Sequence, residues 1–321
     1  MDIRALKHEE MDAWFDHCVY SFNKGEYDNE YRQLFVNHWK YDPWRDLDSI
    51  LVAAEDKEIL STVRVFHRDV YLLGEKVSMG GIGEVCTKFY YRGKGLSTVL
   101  LKRAIQLMEK HKIKISMLST GIFSFYARLG WKENTLFIKN ADLTDKGRLS
   151  SNIRPLNIEK DCEQMIKIYK EYSGKLNGSV VRDNEFYWKN WAQERDVVRL
   201  IWEDDTGRIS AYLFGTEKDN VLNIQEFGAL KGYEDVFDRM VSHLCVLFDR
   251  AATAVKFPAV IKSSYTNEKV MEHKPYMLRL ITPFKINEIS INTTDRLIEV
   301  MYGGNGCCSD SCFTFWKTDG F

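Results

Sequence analysis

Residues 1–40 carry apolar side chains at helical spacing. Met11, Trp14, Phe15, Cys18, Val19 and Phe22 fall on one face, which predicts helix over this stretch. The period then changes. Ile50–Ala54 and Ile59–Val65 flank the charged turn Glu55-Asp56-Lys57-Glu58 and read as a hairpin; Val70–Leu73 and Lys76–Met79 around Gly74-Glu75 read as a second. Leu96, Leu100, Leu101, Ala104, Ile105 and Met108 restore a helical stripe, and Ile113–Leu118 predicts a strand after it. The second half repeats this order. A helix is expected over Asp161–Tyr172, then a hairpin over Arg199–Glu203 and Ile209–Phe214 with its turn at Asp204-Asp205-Thr206-Gly207. A strand over Val221–Leu230, a helix over Tyr233–Ala252 and a strand over Val255–Ile261 follow. The expectation is an α/β (α+β) chain of mixed sheets flanked by helices, in two similar units, 1–148 and 149–285, with a hairpin and tail over 286–321.

The segment with the most chemistry is Val85-Cys86-Thr87-Lys88-Phe89-Tyr90-Tyr91-Arg92-Gly93-Lys94-Gly95-Leu96-Ser97, a strand, a glycine loop and a helix start. Gly93 and Gly95 allow a tight turn and a close backbone approach. The helix that follows offers free amides and the positive end of its dipole, a site for phosphate, with Arg92 and Lys94 beside it. The spacing excludes two familiar phosphate loops. Gly-Lys-Gly-Leu-Ser lacks the four-residue gap of a nucleotide P-loop. Thr98 stands where a dinucleotide fingerprint needs its third glycine. What remains is Arg-x-x-Gly-x-small: Arg92, Gly95 and Ser97.

Bulk properties narrow the class. The chain has 321 residues, 45% hydrophobic and 28% charged, with a net charge of −1. That is an ordinary globular composition, without the basic excess that nucleic acid or an anionic membrane would attract. The first ten residues lack an apolar leader and no run is long enough to span a membrane, so a cytoplasmic protein is expected. Seven cysteines are scattered, and Cys307, Cys308 and Cys312 do not have a zinc spacing; no metal is expected.

Arg92, Gly95 and Ser97 resemble the pyrophosphate-binding motif of the GNAT acyl-CoA transferases, with Ser97 in place of the usual Gly or Ala and Phe89 where many members have Pro. A second landmark follows at the family's distance, Tyr126-Ala127-Arg128-Leu129-Gly130-Trp131. The resemblance implies acetyl-CoA as cosubstrate, held by backbone groups of Val85 and Thr87, by the amides of Gly93, Lys94, Gly95, Leu96 and Ser97, and near Ser119. It also implies Tyr126 as the acid that protonates the departing thiolate, although Tyr126 also suits simple packing beside Phe125 and Trp131. The turn Ala229–Asp235 of the second unit lacks the motif, so that unit is expected to hold no CoA. An intact and a degenerate unit in tandem are similar to the Eis-type (enhanced intracellular survival) acetyltransferases. Gly178-Ser179-Val180-Val181-Arg182 followed by Trp188 resembles the opening of their second domain. There the terminal carboxylate is the base, which here implies that of Phe321. Glu84 is the competing base and Asp319 a weaker one. The family's third, sterol-carrier-like domain has no room in 286–321. The acceptor is then a primary amine. Asp28, Glu30, Asp42, Asp46 and Asp48 either favour a cationic amine or form a solvated face. Homo-oligomers are expected from the resemblance alone. A non-catalytic acyl-CoA sensor and a tRNA-dependent aminoacyl transferase are the rival readings.

Overall fold

The computed structural model describes residues 1–144, 147–193, 196–303 and 312–320. The chain opens with β1 (Asp2–Ala5), α1 (Met11–Phe22) and α2 (Asn29–Lys40). Strands β2 (Ile50–Glu55), β3 (Glu58–Leu72) and β4 (Glu75–Thr87) form a meander, followed by α3 (Leu96–Lys110), β5 (Ile115–Ser119), α4 (Phe123–Ala127) and β6 (Lys132–Asp142). The second half runs β7 (Ile153–Pro155), α5 (Ile158–Ser173), α6 (Glu185–Lys189), β8 (Val198–Glu203), β9 (Ile209–Lys218), β10 (Val221–Ala229), α7 (Phe237–Leu247), β11 (Ala254–Pro258) and β12 (Lys269–Leu280). A small hairpin, β13 (Phe284–Ile286) with β14 (Ile289–Ile291), and the helix α8 (Thr294–Met301) precede the tail.

Local chemistry explains where these elements depart from the periodicity. Residues 1–40 are not continuous helix. Asp2–Ala5 pair antiparallel with β2, and α1 stops where Lys24 and Gly25 turn left-handed. Asp28 then caps α2 by accepting from the amide of Tyr31. The two expected hairpins share one long strand, β3. Its polar stretch His67-Arg68-Asp69 reads as a break, but Arg68 is buried against Asp42 and the strand runs on. A hairpin at 284–291 precedes α8; the hairpin expected around Gly303-Gly304-Asn305-Gly306, with Cys307 and Cys308, falls largely outside the described residues.

Twelve strands form one sheet in the order β1-β2-β3-β4-β5-β12-β6-β11-β10-β9-β8-β7. The order is a palindrome of the two halves with their last strands exchanged. β12 lies between β5 and β6, and β6 pairs with β11. Both halves contain one parallel pair, and both pairs part early. β4 and β5 are in register from Met79/Ile115 to Ile82/Leu118, after which β4 continues to Thr87 without a partner on that side. β10 and β11 pair only over Val221–Asn223 and Ala254–Lys256. Helices cover the two faces. α3 lays Leu96, Leu100, Leu101, Ala104 and Met108 on one face of the first half, while Trp14, Phe15, Cys18 and Val19 of α1 pack on the other, beside Cys86.

Candidate active site

The parting of β4 from β5 leaves backbone N–H and C=O groups of residues 83–87 without a strand partner on one edge, the arrangement an extended amide chain can complete. The strand ends at the glycine loop. Gly93 and Gly95 have φ of 78° and 82°. No heavy atom comes within 4 Å of a Cβ placed on either, so the backbone angle and not lack of space requires glycine. Gly95 is the N-cap of α3, whose first-turn amides open toward the loop. The loop is pinned from behind. Arg92 Nε donates to the Thr87 carbonyl at 3.2 Å, and the Thr87 hydroxyl meets Ser97 Oγ at 2.7 Å and Ser61 Oγ at 2.8 Å. The hydroxyls of Thr87 and Ser97 thus fasten α3 to β4 and leave the amides to face outward. Lys94 holds its ammonium 4.4 Å from the centre of the Tyr91 ring. Val85 is half-buried against the α3 side of the sheet.

One residue breaks the alternation of β4. Cys86 lies opposite Thr62 but Gly83 opposite Arg64, a bulge that places Glu84 at a φ of 52°. A non-glycine residue in that region costs on the order of 1–3 kcal/mol, strain found mostly at functional positions. Glu84 is buried. Its Oε1 lies 3.4 Å from Arg64 and 3.8 Å from His38 Nδ1, and its Oε2 has no hydrogen-bond partner. Arg64 also binds Asp42 at 2.9 Å, and Asp42 binds Arg68 at 2.9 Å. Asp42 is therefore a buried counter-ion, and Asp28 and Asp46 are helix caps. Asp42 is thereby closed to a cationic acceptor.

Tyr126, on α4, packs edge-on against Phe125 and Trp131, with ring centres at 5.0 and 6.3 Å. It belongs to the apolar cluster that also contains Ile82, Leu96 and Leu118, at the fork of β4 and β5. Burial pushes its hydroxyl up to about 12, so it is a proton donor throughout the physiological range.

A cavity of about 730 Å³ lies where the two forks meet. Ser119 at the end of β5, Tyr276 on β12, Asn223 and Gln225 on β10, His38 on α2 and Gly320 of the tail contribute to its wall. The cradle residues and Tyr126 do not line it.

Residues 2–133 match the family model described as the acetyltransferase (GNAT) domain. This segment is a GNAT acetyltransferase domain. The protein is accordingly an acyltransferase. No curated protein matches the sequence. Solved structures share the fold at low identity. A probable N-acyltransferase from Enterococcus faecalis V583 is 18% identical with a TM-score of 0.71, over 88% of this chain and 75% of that one. Eis1 from Mycobacterium abscessus is 15% identical with a TM-score of 0.60, over 88% and 74%. N-myristoyltransferase from Saccharomyces cerevisiae, solved with myristoyl-CoA, is 11% identical with a TM-score of 0.57, over 92% and 87%.

Beyond the GNAT domain, the tail is fastened by a network that sequence reasoning missed. Arg182 is fully buried and binds Glu226 through two nitrogens, at 2.8 and 3.0 Å, and Asp319 at 2.8 Å. Tyr187 donates to Asp319 at 2.6 Å, Tyr212 donates to Glu226 at 2.8 Å, and Thr318 bonds Glu226. Asp319 is thus sealed against Arg182, which removes it as a candidate base. The same pin delivers Gly320 to the cavity wall; Phe321 lies outside the described residues. His38 was also missed, because nothing in the repeat pattern of α2 separates it from an ordinary helix-surface histidine. Its signal is spatial, through Glu84 and the cavity.

Proposed function

We propose that the protein transfers an acetyl group from acetyl-CoA to a primary amine of a small molecule or peptide, directly within a ternary complex. The observation that carries this reading is the fork of β4 and β5, which ends at a glycine cradle on a helix N-terminus and opens beside an acceptor-sized cavity. The residues fit the donor. Left-handed Gly93 and Gly95 leave open space over the α3 amides for a pyrophosphate. The unpaired edge of residues 83–87, Val85 and Thr87 among them, suits the two amides of a pantetheine arm, and Ser119 lines the cavity.

In the reaction a proton leaves the acceptor ammonium on the Glu84 side. The freed amine attacks the thioester carbonyl, the C–N bond forms as the C–S bond breaks, and the Tyr126 hydroxyl protonates the sulfur. Tyr126 regains its proton from the nitrogen of the new amide. One proton is released overall. The Phe321 carboxylate is the other base that the resemblance implies, and deletion of Gly320 and Phe321 separates the two. With Glu84 on the proton path, kcat of the truncated protein stays within about threefold of the parent, whereas Glu84→Gln loses on the order of 100-fold. The direct test is thiol release from acetyl-CoA across a panel of monoamines, diamines, amino acids and peptides. Amine-dependent release that Gly95→Asp abolishes supports the reading. Binding of acetyl-CoA with no release for any amine would instead make the protein an acyl-CoA sensor.

A further inference from the structure

Buried polar atoms in folded proteins are nearly always paired. Two unpaired ones occur on adjoining side chains here, Glu84 Oε2 and His38 Nε2. The contact between these side chains is itself incomplete: His38 Nδ1 lies 3.8 Å from Glu84 Oε1, beyond hydrogen-bond length. Of the two, His38 lines the cavity and Glu84 does not. The imidazole therefore stands between the carboxylate and any molecule in the cavity.

The charges around the pair already balance without it. Arg64 and Arg68 face Asp42 and Glu84, two cations with two anions, joined by contacts of 2.9, 2.9 and 3.4 Å. His38 is not needed as a counter-charge. Its ring is held in place by stacking on Trp191, with centres 5.1 Å apart and an interplanar angle of 30°. A fixed imidazole with an unpartnered Nε2, backed by a carboxylate and belonging to a side chain that lines the cavity, has the arrangement of a proton acceptor.

We propose that His38 is the catalytic base of the acyl transfer and that Glu84, through His38, is a positioning residue. The inference rests on the acyl-transfer reading above and assigns its first proton. The acceptor R–NH3⁺ supplies the partner that Nε2 lacks and gives it one proton. Trp191 orients the ring, and the Glu84 carboxylate 3.8 Å away positions the proton by stabilising the imidazolium. The second nitrogen proton goes to Tyr126 as Tyr126 protonates the thiolate, and His38 returns its own proton to solvent. The sum is R–NH3⁺ plus acetyl-CoA giving the amide, CoA thiol and H⁺.

The test uses the full chain and an amine identified by thiol release. His38→Ala leaves an imidazole-sized space open to the cavity, and His38→Gln fills that space with a polar group that cannot take the proton. Both should lose at least about 100-fold in kcat with little change in KM for acetyl-CoA. Added imidazole should restore turnover to His38→Ala and not to His38→Gln. A kcat for His38→Gln within about threefold of the parent would overturn the proposal. So would failure of imidazole to raise His38→Ala above His38→Gln. Absence of thiol release from the parent protein with every amine would overturn the acyl-transfer reading itself, an outcome distinct from either.

Discussion

Tyr126 shows how much of this chemistry is set by one environment. A phenol is a weak acid, and burial among Phe125, Trp131 and the apolar residues of the fork makes it weaker, up to about 12. For an acid catalyst the sign is favourable. The group stays protonated at every pH below that value, so no alkaline loss of kcat should arise from Tyr126 up to about pH 10. A pH–rate profile checks this, and a fall centred near pH 8 would contradict it. For stability the sign is the reverse. The unfolded phenol ionises near its ordinary value of about 10 while the folded one does not, so this contribution is complete below pH 10 and drains away between about 10 and 12. Tyr126→Phe keeps the ring contacts and removes the proton. It should lower kcat by about 10²–10⁴ with acetyl-CoA affinity almost unchanged, measured by steady-state kinetics beside a binding titration. The tyrosine was legible in the sequence as a candidate because Tyr-x-x-x-Gly-aromatic is local. Glu84 was legible as a candidate, but its bulge and left-handed φ were not, since they arise from register against β3.

At the scale of elements, the cradle is the part most fully written into the chain. Two glycines with one residue between them, followed by an apolar helical stripe, define the strand, loop and helix without help from distant residues. Gly95→Asp is the sharper probe of it. Aspartate is a good N-cap and one of the better residues at positive φ, so α3 should persist. Its carboxylate would sit in the site proposed for the pyrophosphate, and acetyl-CoA affinity should fall by at least about 100-fold while circular dichroism stays the same. Other elements were less legible. β6 opens with Lys132-Glu133-Asn134-Thr135 and β12 with exposed Lys269–Lys274, so neither shows the alternation of a strand with one covered face. Both are strands because of the partners they meet: β6 lies between β12 and β11 of the second half, and β12 between β5 and β6 of the first. The join of two expected hairpins into the single strand β3 has a similar cause. Arg68 looks like a loop residue until Asp42 neutralises it inside the protein.

On the scale of the whole molecule, the exchange of β6 and β12 makes one sheet of the two halves. Residues 1–148 alone would leave β5 and β6 without β12 between them, so that fragment should lack a cooperative urea transition while the full chain has a single one. The tail adds a second long-range tie. Arg182→Met would strand Glu226 and Asp319 as two buried carboxylates and should cost on the order of 3–5 kcal/mol, read from the shift in the urea midpoint. No sequence pattern announces that network, because its members come from three distant segments. The central claim, that the first half holds acyl-CoA in its glycine cradle, is tested most directly by calorimetric titration of the full chain with acetyl-CoA, beside Arg92→Ala and Gly95→Asp. The account predicts one site per chain with micromolar affinity in the parent, lost in Gly95→Asp and weakened in Arg92→Ala. Binding of equal strength in Gly95→Asp, or no binding in the parent, would contradict it.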